Sequence, residues 1–298
     1  MLEVFSEFLK KNEFEYEEYK SLEDMSNIRI GCRARLVVYP KNEKNFIDVI
    51  DFLCECSLGF VVLGNMSNVL FRTPIYNGVI IKTTKYRTKN AADGTIELGC
   101  GTMIASVARE LAANCRGGFE GLVGIPGTVG GMIKQNAGAF GYEISDHFVS
   151  ARIYNLKDKC VHIYFKEDMC FGYRKSILED KNLILLSAVF DTISMPQKDI
   201  LELIKKLAHK RRTAQPVASP SLGSIFKRCA GVSAGYYIDK SGLKGMRIGG
   251  AEISHKHAGF IVNSGGATAK DVLELIDVVK HRVYEEFGVL LEEEIEVI

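Results

Sequence analysis

Gly124-Ile-Pro-Gly-Thr-Val-Gly-Gly131, followed after four residues by Asn136-Ala-Gly-Ala-Phe-Gly141, is the stretch on which the reading of this chain turns. Seven glycines fall between 121 and 141, more than tight turns alone require. Glycine lets a ligand come close to the backbone and lets several N–H groups point to one place. Such a concavity suits a diphosphate, because oriented amides offset its charge without a basic side chain. The simpler nucleotide fingerprints are missing. There is no G-x-x-x-x-G-K-[ST], and no G-x-G-x-x-G opens a helix after a strand. A nucleoside triphosphatase and a simple Rossmann dehydrogenase are therefore disfavoured.

Upstream, a charged helix is expected over 1–20 and a strand at Arg35-Leu-Val-Val-Tyr39, ended by Pro40. Phe46, Val49, Ile50 and Leu53 repeat at helical spacing, and Gly59 closes that helix. Phe60-Val-Val-Leu63 reads as a buried strand running into Gly64-Asn-Met-Ser-Asn68, and Val79-Ile-Ile81 as another. A polar loop at the exit of a strand in a β-α-β unit is a common place for a ligand. A strand at Thr95–Leu98 leads to a helix with Thr102 as its expected cap and Ile104, Val107, Ala108 and Leu111 on its buried face.

Downstream, 149–155 and 160–165 read as a hairpin and 183–190 as a third strand. Residues 191–197 read as a linker and 198–212 as a helix with a basic face; residues 224–265 mix short strands with one helix near 233–240. The last helix starts at Thr268 with Asp271 three residues on, a capping-box arrangement, and buries Val272, Leu275, Ile276, Val279 and Val283. Alternation at Ile295 and Val297 in the acidic tail predicts a strand that returns to the body and fixes one carboxylate.

The 298 residues suit two or three packed subdomains, and 47% apolar with 25% charged is an ordinary globular balance. A net charge of +1 lacks the basic excess of proteins that live on phosphate contacts, so nucleic acid is a poor partner. The eight cysteines form no C-x-x-C pair, and reduced thiols are the simplest account. His255 and His257 make an H-x-H without supporting ligands, so no metal is expected. The N-terminus lacks the features of a signal peptide and no run reaches membrane-spanning length, which predicts a cytoplasmic protein with no membrane insertion.

Three further motifs are weak singly. Phe171-Gly-Tyr-Arg-Lys-Ser176 offers an arginine that could hold a carboxylate, yet taken alone Arg174 reads as a surface cation. Leu222-Gly-Ser-Ile-Phe-Lys-Arg228 offers Ser224, which taken alone reads as an inert loop serine. The tail Glu292-Glu-Glu-Ile-Glu-Val-Ile298 taken alone reads as solvated charge.

In combination and in order these motifs, with Gly242-Leu-Lys-Gly245, Arg247-Ile-Gly-Gly250 and His257-Ala-Gly-Phe-Ile-Val-Asn263, closely resemble the UDP-N-acetylenolpyruvoylglucosamine reductase (UDP-N-acetylmuramate dehydrogenase) family, from about residue 25 to the C-terminus. The short stretch from Arg174 to Ser224 is similar to the subclass without an extra tyrosine-bearing loop. The resemblance implies an α+β fold: two FAD-binding subdomains of the vanillyl-alcohol-oxidase/PCMH type plus a C-terminal α+β substrate-binding domain. The corresponding spans are 1–83, 84–196 and 197–289, with the tail 290–298 returning to the site.

The resemblance also implies roles. Gly64, Asn65, Met66, Ser67 and Asn68 in one loop, and Gly124, Ile125, Pro126, Gly127, Thr128, Gly130, Gly131, Asn136, Ala137 and Gly138 in the other, would hold FAD. Neither loop has a histidine or cysteine for attachment, so the FAD is expected to be non-covalent. Arg174 and Glu294 would flank the enolpyruvyl carboxylate, Ser224 would donate the proton, and Tyr173 and Lys227 would contact substrate. NADPH would supply hydride and a UDP-sugar enol ether would accept it, in peptidoglycan precursor synthesis.

The chain departs from the family pattern at Asn65 and Met66, where glycines are usual, at Met25-Ser26, at Arg228-Cys229 and at Glu296. These departures keep open a flavin-binding relative with a binding or regulatory role. A related flavin oxidase acting on an alcohol is a third reading.

Overall fold

The computed structural model describes residues 1–298. Seven α-helices are α1 (Leu2–Lys11), α2 (Glu43–Glu55), α3 (Ile104–Ala113), α4 (Val129–Lys134), α5 (Gln197–Ala214), α6 (Ala234–Lys240) and α7 (Ala269–Phe287). A four-stranded sheet has the order Tyr16–Ser21, Arg33–Val38, Ile75–Lys82, Phe60–Leu63. Its last two strands are parallel, with Phe60 opposite Val79 and Leu63 opposite Lys82.

The chain forms two compact units. The first comprises Met1–Glu18, Leu36–Asn65 and Gly78–His209. Its largest sheet has five strands in the order Cys160–Phe165, Phe148–Asn155, Leu183–Asp191, Thr95–Gly99, Lys89–Ala92, antiparallel throughout. The expected hairpin is present, with Asn155 opposite Cys160. The unit's core takes Phe5 and Leu9 from α1, the predicted Phe46, Val49, Ile50 and Leu53 from α2, and Ile104, Val107, Ala108 and Leu111 from α3. Burial of such side chains is worth about 1.5–3 kcal/mol each relative to exposure.

The second unit comprises Tyr19–Arg35, Met66–Asn77 and Lys210–Ile298. Its sheet runs Ser221–Ser224, Phe260–Asn263, Ala251–Ile253, Arg247–Ile248, with α7 supplying Val272, Leu275, Ile276, Val279 and Val283 to a separate core. The start of α7 is the predicted capping box: Thr268 Oγ1 accepts from the Asp271 N–H at 3.2 Å, and Asp271 Oδ2 accepts from the Thr268 N–H at 2.9 Å. The tail strand is also present, Glu296–Val297 lying parallel to Val69–Leu70.

Three local expectations are corrected. The first helix stops at Lys11, because Glu13 turns left-handed (φ 55°) and the Phe14 N–H bonds back to the Leu9 carbonyl, after which Tyr16–Ser21 is a strand. Thr102 does not cap α3, whose N-cap is Met103. The glycine-rich stretch is not loop throughout, since it contains α4, capped by Thr128.

Candidate active site

In the first unit, the carboxyl ends of two parallel strands meet at Leu63 and Lys82. Ligands of open α/β sheets bind at such ends. Thr83 Oγ1 donates to the Leu63 carbonyl at 3.3 Å, and Lys82 Nζ donates to the Gly64 carbonyl at 2.5 Å. Lys82 is 4% exposed, and burial pulls its pKa down to about 8. The Gly64 loop begins there and meets the second glycine loop directly. Asn65 Nδ2 donates to the Pro126 carbonyl at 2.8 Å, and a Cβ on Gly64 would lie 2.1 Å from Thr128 Oγ1. Glycine at 64 is therefore required by close approach.

Within the second loop, the N–H groups of Val129 and Gly130 donate to the carbonyls of Thr102 and Cys100 at 2.9 and 2.8 Å. Gly130 thus fastens the loop instead of turning its N–H to an anion. Asn136 is buried and its amide is engaged at both ends. Nδ2 donates to Glu143 Oε2 at 2.8 Å and to the Gly172 carbonyl at 3.1 Å, and Oδ1 accepts from the Ser145 N–H at 3.3 Å.

The Gly172 bond joins this loop to the next motif. Gly172 and Lys175 exchange backbone hydrogen bonds at 3.1 and 3.2 Å, which puts Tyr173 and Arg174 at the tip of a tight turn. Arg174 sits at φ 54°, an uncommon conformation for a side-chain-bearing residue and a frequent one at functional sites. Its guanidinium donates to the Gly138 carbonyl at 3.1 Å and lies over the Tyr173 ring, 5.1 Å from the centroid. Ser176 Oγ, donating to the Lys134 carbonyl at 2.9 Å, anchors the far side of the turn. The structure therefore brings together Gly64, Asn65, Pro126, Thr128, Asn136, Gly138, Tyr173 and Arg174 through a chain of direct contacts.

In the second unit, Ser224 ends its strand opposite Phe260, and its hydroxyl donates to the Phe226 carbonyl at 3.0 Å. A Cβ on Gly259 would lie 3.0 Å from His257 Cε1 and 3.5 Å from Ser224 Oγ, so this glycine leaves room for the His257 ring and lies at ordinary contact distance from the hydroxyl. His257 Nδ1 accepts from the Gly259 N–H at 3.1 Å, which leaves the proton of the neutral ring on Nε2. Burial holds its pKa below the usual histidine value.

The tail passes the serine strand as expected. The Glu294 N–H donates to the Ile225 carbonyl at 2.7 Å, and the Glu294 carbonyl accepts from Asn68 Nδ2 at 3.0 Å. Its neighbours are engaged elsewhere: Glu292 pairs with Lys227 at 2.5 Å and Glu293 with Lys280 at 2.6 Å. Met66, where a glycine was the usual residue, adopts φ 54° and is buried at 3% exposure. The loop therefore keeps a left-handed residue at this position despite the side chain.

Sequence reasoning missed Lys82 and gave His257 only a loop role. The available signal for Lys82 was a lysine ending an apolar run, Val79-Ile-Ile-Lys82. Nothing in the sequence placed His257 and Gly259 near Ser224.

A model of an FAD binding domain matches residues 34–164, and a model described as UDP-N-acetylenolpyruvoylglucosamine reductase, C-terminal domain, matches 215–298. The UDP-N-acetylenolpyruvoylglucosamine reductase of Caldicellulosiruptor saccharolyticus is 44% identical over 296 residues, covering 99% of this chain and 95% of that protein. The chain belongs to the UDP-N-acetylenolpyruvoylglucosamine reductase family. It is an FAD-dependent oxidoreductase of peptidoglycan precursor synthesis. The family's member from Clostridioides difficile is 37% identical over 273 residues, covering 91% of this chain and 90% of its own length. The crystal structure of the Thermus caldophilus reductase superposes with a TM-score of 0.80 at 34% identity, covering 95% of this chain and 98% of that one. The family's fold, an FAD-binding part followed by a C-terminal domain, is thus the fold of this chain. No helix is long and apolar enough to cross a membrane.

The residues present fit an FAD. Two loops close on one another at Gly64 and Thr128, and the buried ammonium of Lys82 lies against the Gly64 carbonyl, an arrangement suited to an anionic group.

Proposed function

We propose that this chain reduces the enolpyruvyl ether of UDP-N-acetylglucosamine to UDP-N-acetylmuramate in the cytoplasm, with NADPH as hydride donor. The observation that carries the reading is family membership along nearly the whole chain; Arg174, Ser224 and Glu294 lie in motifs that resemble those of the family's reacting residues. FAD, held non-covalently by the Gly64–Asn68 and Gly124–Gly138 segments, supplies the hydride relay between nicotinamide and enol ether.

Arg174 meets the substrate carboxylate as electron density moves onto it, a fixed positive charge aimed where negative charge develops. Its left-handed turn and its bond to the Gly138 carbonyl hold the guanidinium before substrate arrives. Glu294 flanks the same group, its backbone fixed at both N–H and carbonyl. Ser224 delivers a proton to the alpha carbon, its hydroxyl turning from the Phe226 carbonyl toward the basic intermediate. A serine hydroxyl is a weak acid, so position and the basicity of the intermediate do the work. Tyr173 and Lys227 contact substrate, with spans 1–83 and 84–196 serving FAD and span 197–289 serving substrate.

Steady-state NADPH oxidation by the purified protein tests the reading. Oxidation that requires the UDP-sugar enol ether supports it. Oxidation by oxygen alone, unaltered by the ether, removes it.

A further inference from the structure

Lysine is almost never fully buried unless paired, yet Lys82 is 4% exposed and carries no carboxylate partner. Its ammonium is satisfied by a backbone carbonyl, that of Gly64. Removing an ammonium from water without a counter-charge is costly, so a lysine in this setting needs a reason beyond packing. The gripped carbonyl belongs to the residue at which the two glycine loops touch, Gly64 against Thr128. Part of the second loop's donor set is already used, since the Val129 and Gly130 N–H groups serve the Thr102 and Cys100 carbonyls. A full positive charge at this edge makes good that loss toward an anion.

We propose that Lys82 is a positioning residue of the cofactor site: its ammonium fixes the Gly64 carbonyl where the two loops meet and holds beneath them the positive charge that the diphosphate of FAD neutralises. The proposal rests on the assignment of FAD to these loops. It makes flavin binding and protonation of Lys82 a coupled event.

The surroundings leave Lys82 as the group that titrates. The strand Phe60–Leu63, the segment Gly64–Asn65 and the segment Pro126–Thr128 carry no ionisable side chain. On the strand Arg33–Val38, Arg33 and Arg35 are exposed. Beside Thr83, burial pushes the Cys100 thiol up to about 12 and the Tyr86 phenol well above its usual value, so both are neutral at pH 8. Burial alone brings Lys82 to about 8, and a nearby diphosphate reverses that by favouring the charged form. FAD affinity is therefore level below about pH 8 and falls above it, by up to about tenfold per pH unit, with net proton uptake on binding.

The test titrates apo-protein with FAD, and separately with riboflavin, which lacks the diphosphate. It covers about two pH units either side of 8, with calorimetry in two buffers of different ionisation enthalpy. Wild type should show the bend near pH 8 and proton uptake with FAD, and neither with riboflavin. Lys82→Met should bind FAD about tenfold or more weakly at neutral pH, lose the bend, and keep its riboflavin affinity, with a thermal midpoint no lower than wild type because the buried charge is gone. Lys82→Met with wild-type FAD affinity and profile overturns the proposal. So does equal loss of FAD and riboflavin with a lowered midpoint, which makes Lys82 a packing residue. If the methionine variant does not fold, the wild-type profile decides: a flat profile without proton uptake overturns the proposal, and the bend with uptake supports it. Wild-type protein that binds no FAD at any pH overturns both the proposal and the FAD assignment beneath it.

Discussion

Ser224, Glu294 and Lys82 carry the account at the scale of single residues. Ser224→Ala removes only a hydroxyl that donates to the Phe226 carbonyl, so the fold and FAD content should survive. Flavin reduction by NADPH should stay near wild type, while consumption of reduced flavin by the enol ether falls about a hundredfold or more. Rapid-mixing measurements of the two half-reactions check this, and equal slowing of both would make Ser224 a pocket-shaping residue. Glu294→Gln should slow the second half at saturating substrate, whereas Glu293→Gln, which breaks an ion pair with Lys280, should leave it within about twofold. The reverse ranking would move the role along the tail. Lys82 also has a signature in the apo-protein. Its folded pKa of about 8 lies below the unfolded value, so the unfolded chain binds more protons between the two. Apo-protein stability should therefore gain on the order of 3 kcal/mol from this group as pH rises from about 8 to 10.5, a gain absent in Lys82→Met. Denaturant unfolding of both proteins across that window measures it. The motifs that hold Arg174, Ser224 and Glu294 could be proposed because residue type and order survive in sequence. Lys82 was not, because burial of a lysine depends on which strand ends beside it.

Elements were read best where periodicity and caps agree. In α7 the sequence pattern, the apolar stripe and the Thr268–Asp271 box all point one way, and the structure has that helix. Thr268→Ala should lower stability by about 1 kcal/mol with FAD affinity unchanged, read as a shifted denaturation midpoint beside a flavin titration. A loss of flavin affinity instead would tie this helix to the cofactor. The weaker readings failed where a local signal competed with a tertiary one. Tyr16–Ser21 looked helical because its charges continue those of α1, but it is a strand bonded into the four-stranded sheet. The stretch 121–141 looked like loop because its glycines are poor helix formers, yet Thr128 and the Thr102 and Cys100 carbonyls hold a short helix there. Its glycines also serve packing as much as approach. A Cβ on Gly121 would meet the Tyr142 ring at 2.1 Å, and one on Gly127 would meet Met132 Cγ at 2.6 Å. Gly64→Ala is the cleaner probe of the cofactor loops, because the added carbon strikes Thr128 Oγ1 at the loop contact. It should weaken FAD binding strongly, and Gly64→Ala with Thr128→Gly should recover part of it. Failure of that rescue would place the fault elsewhere in the loop.

Taken as a molecule, the chain has two apolar cores, one in each compact unit, and the residues assigned to the reaction are divided among them: Arg174 in the first, Ser224 and Glu294 in the second. Sequence order carried the family, and the Caldicellulosiruptor saccharolyticus protein is similar along nearly its whole length. What order could not carry is the packing of each loop on its neighbours. The left-handed Met66 and Arg174 belong to that packing, and each holds a conformation that its own residue type does not favour. The central claim is that this protein transfers hydride and proton to the enolpyruvyl ether of UDP-N-acetylglucosamine. The most direct measurement reduces the purified holoprotein anaerobically, removes excess reductant, and mixes it with that ether while following the visible flavin absorbance. The account predicts full return of the oxidised spectrum in proportion to added ether, with a product heavier by one hydride and one proton. A spectrum that stays reduced, with the ether recovered intact, would contradict it.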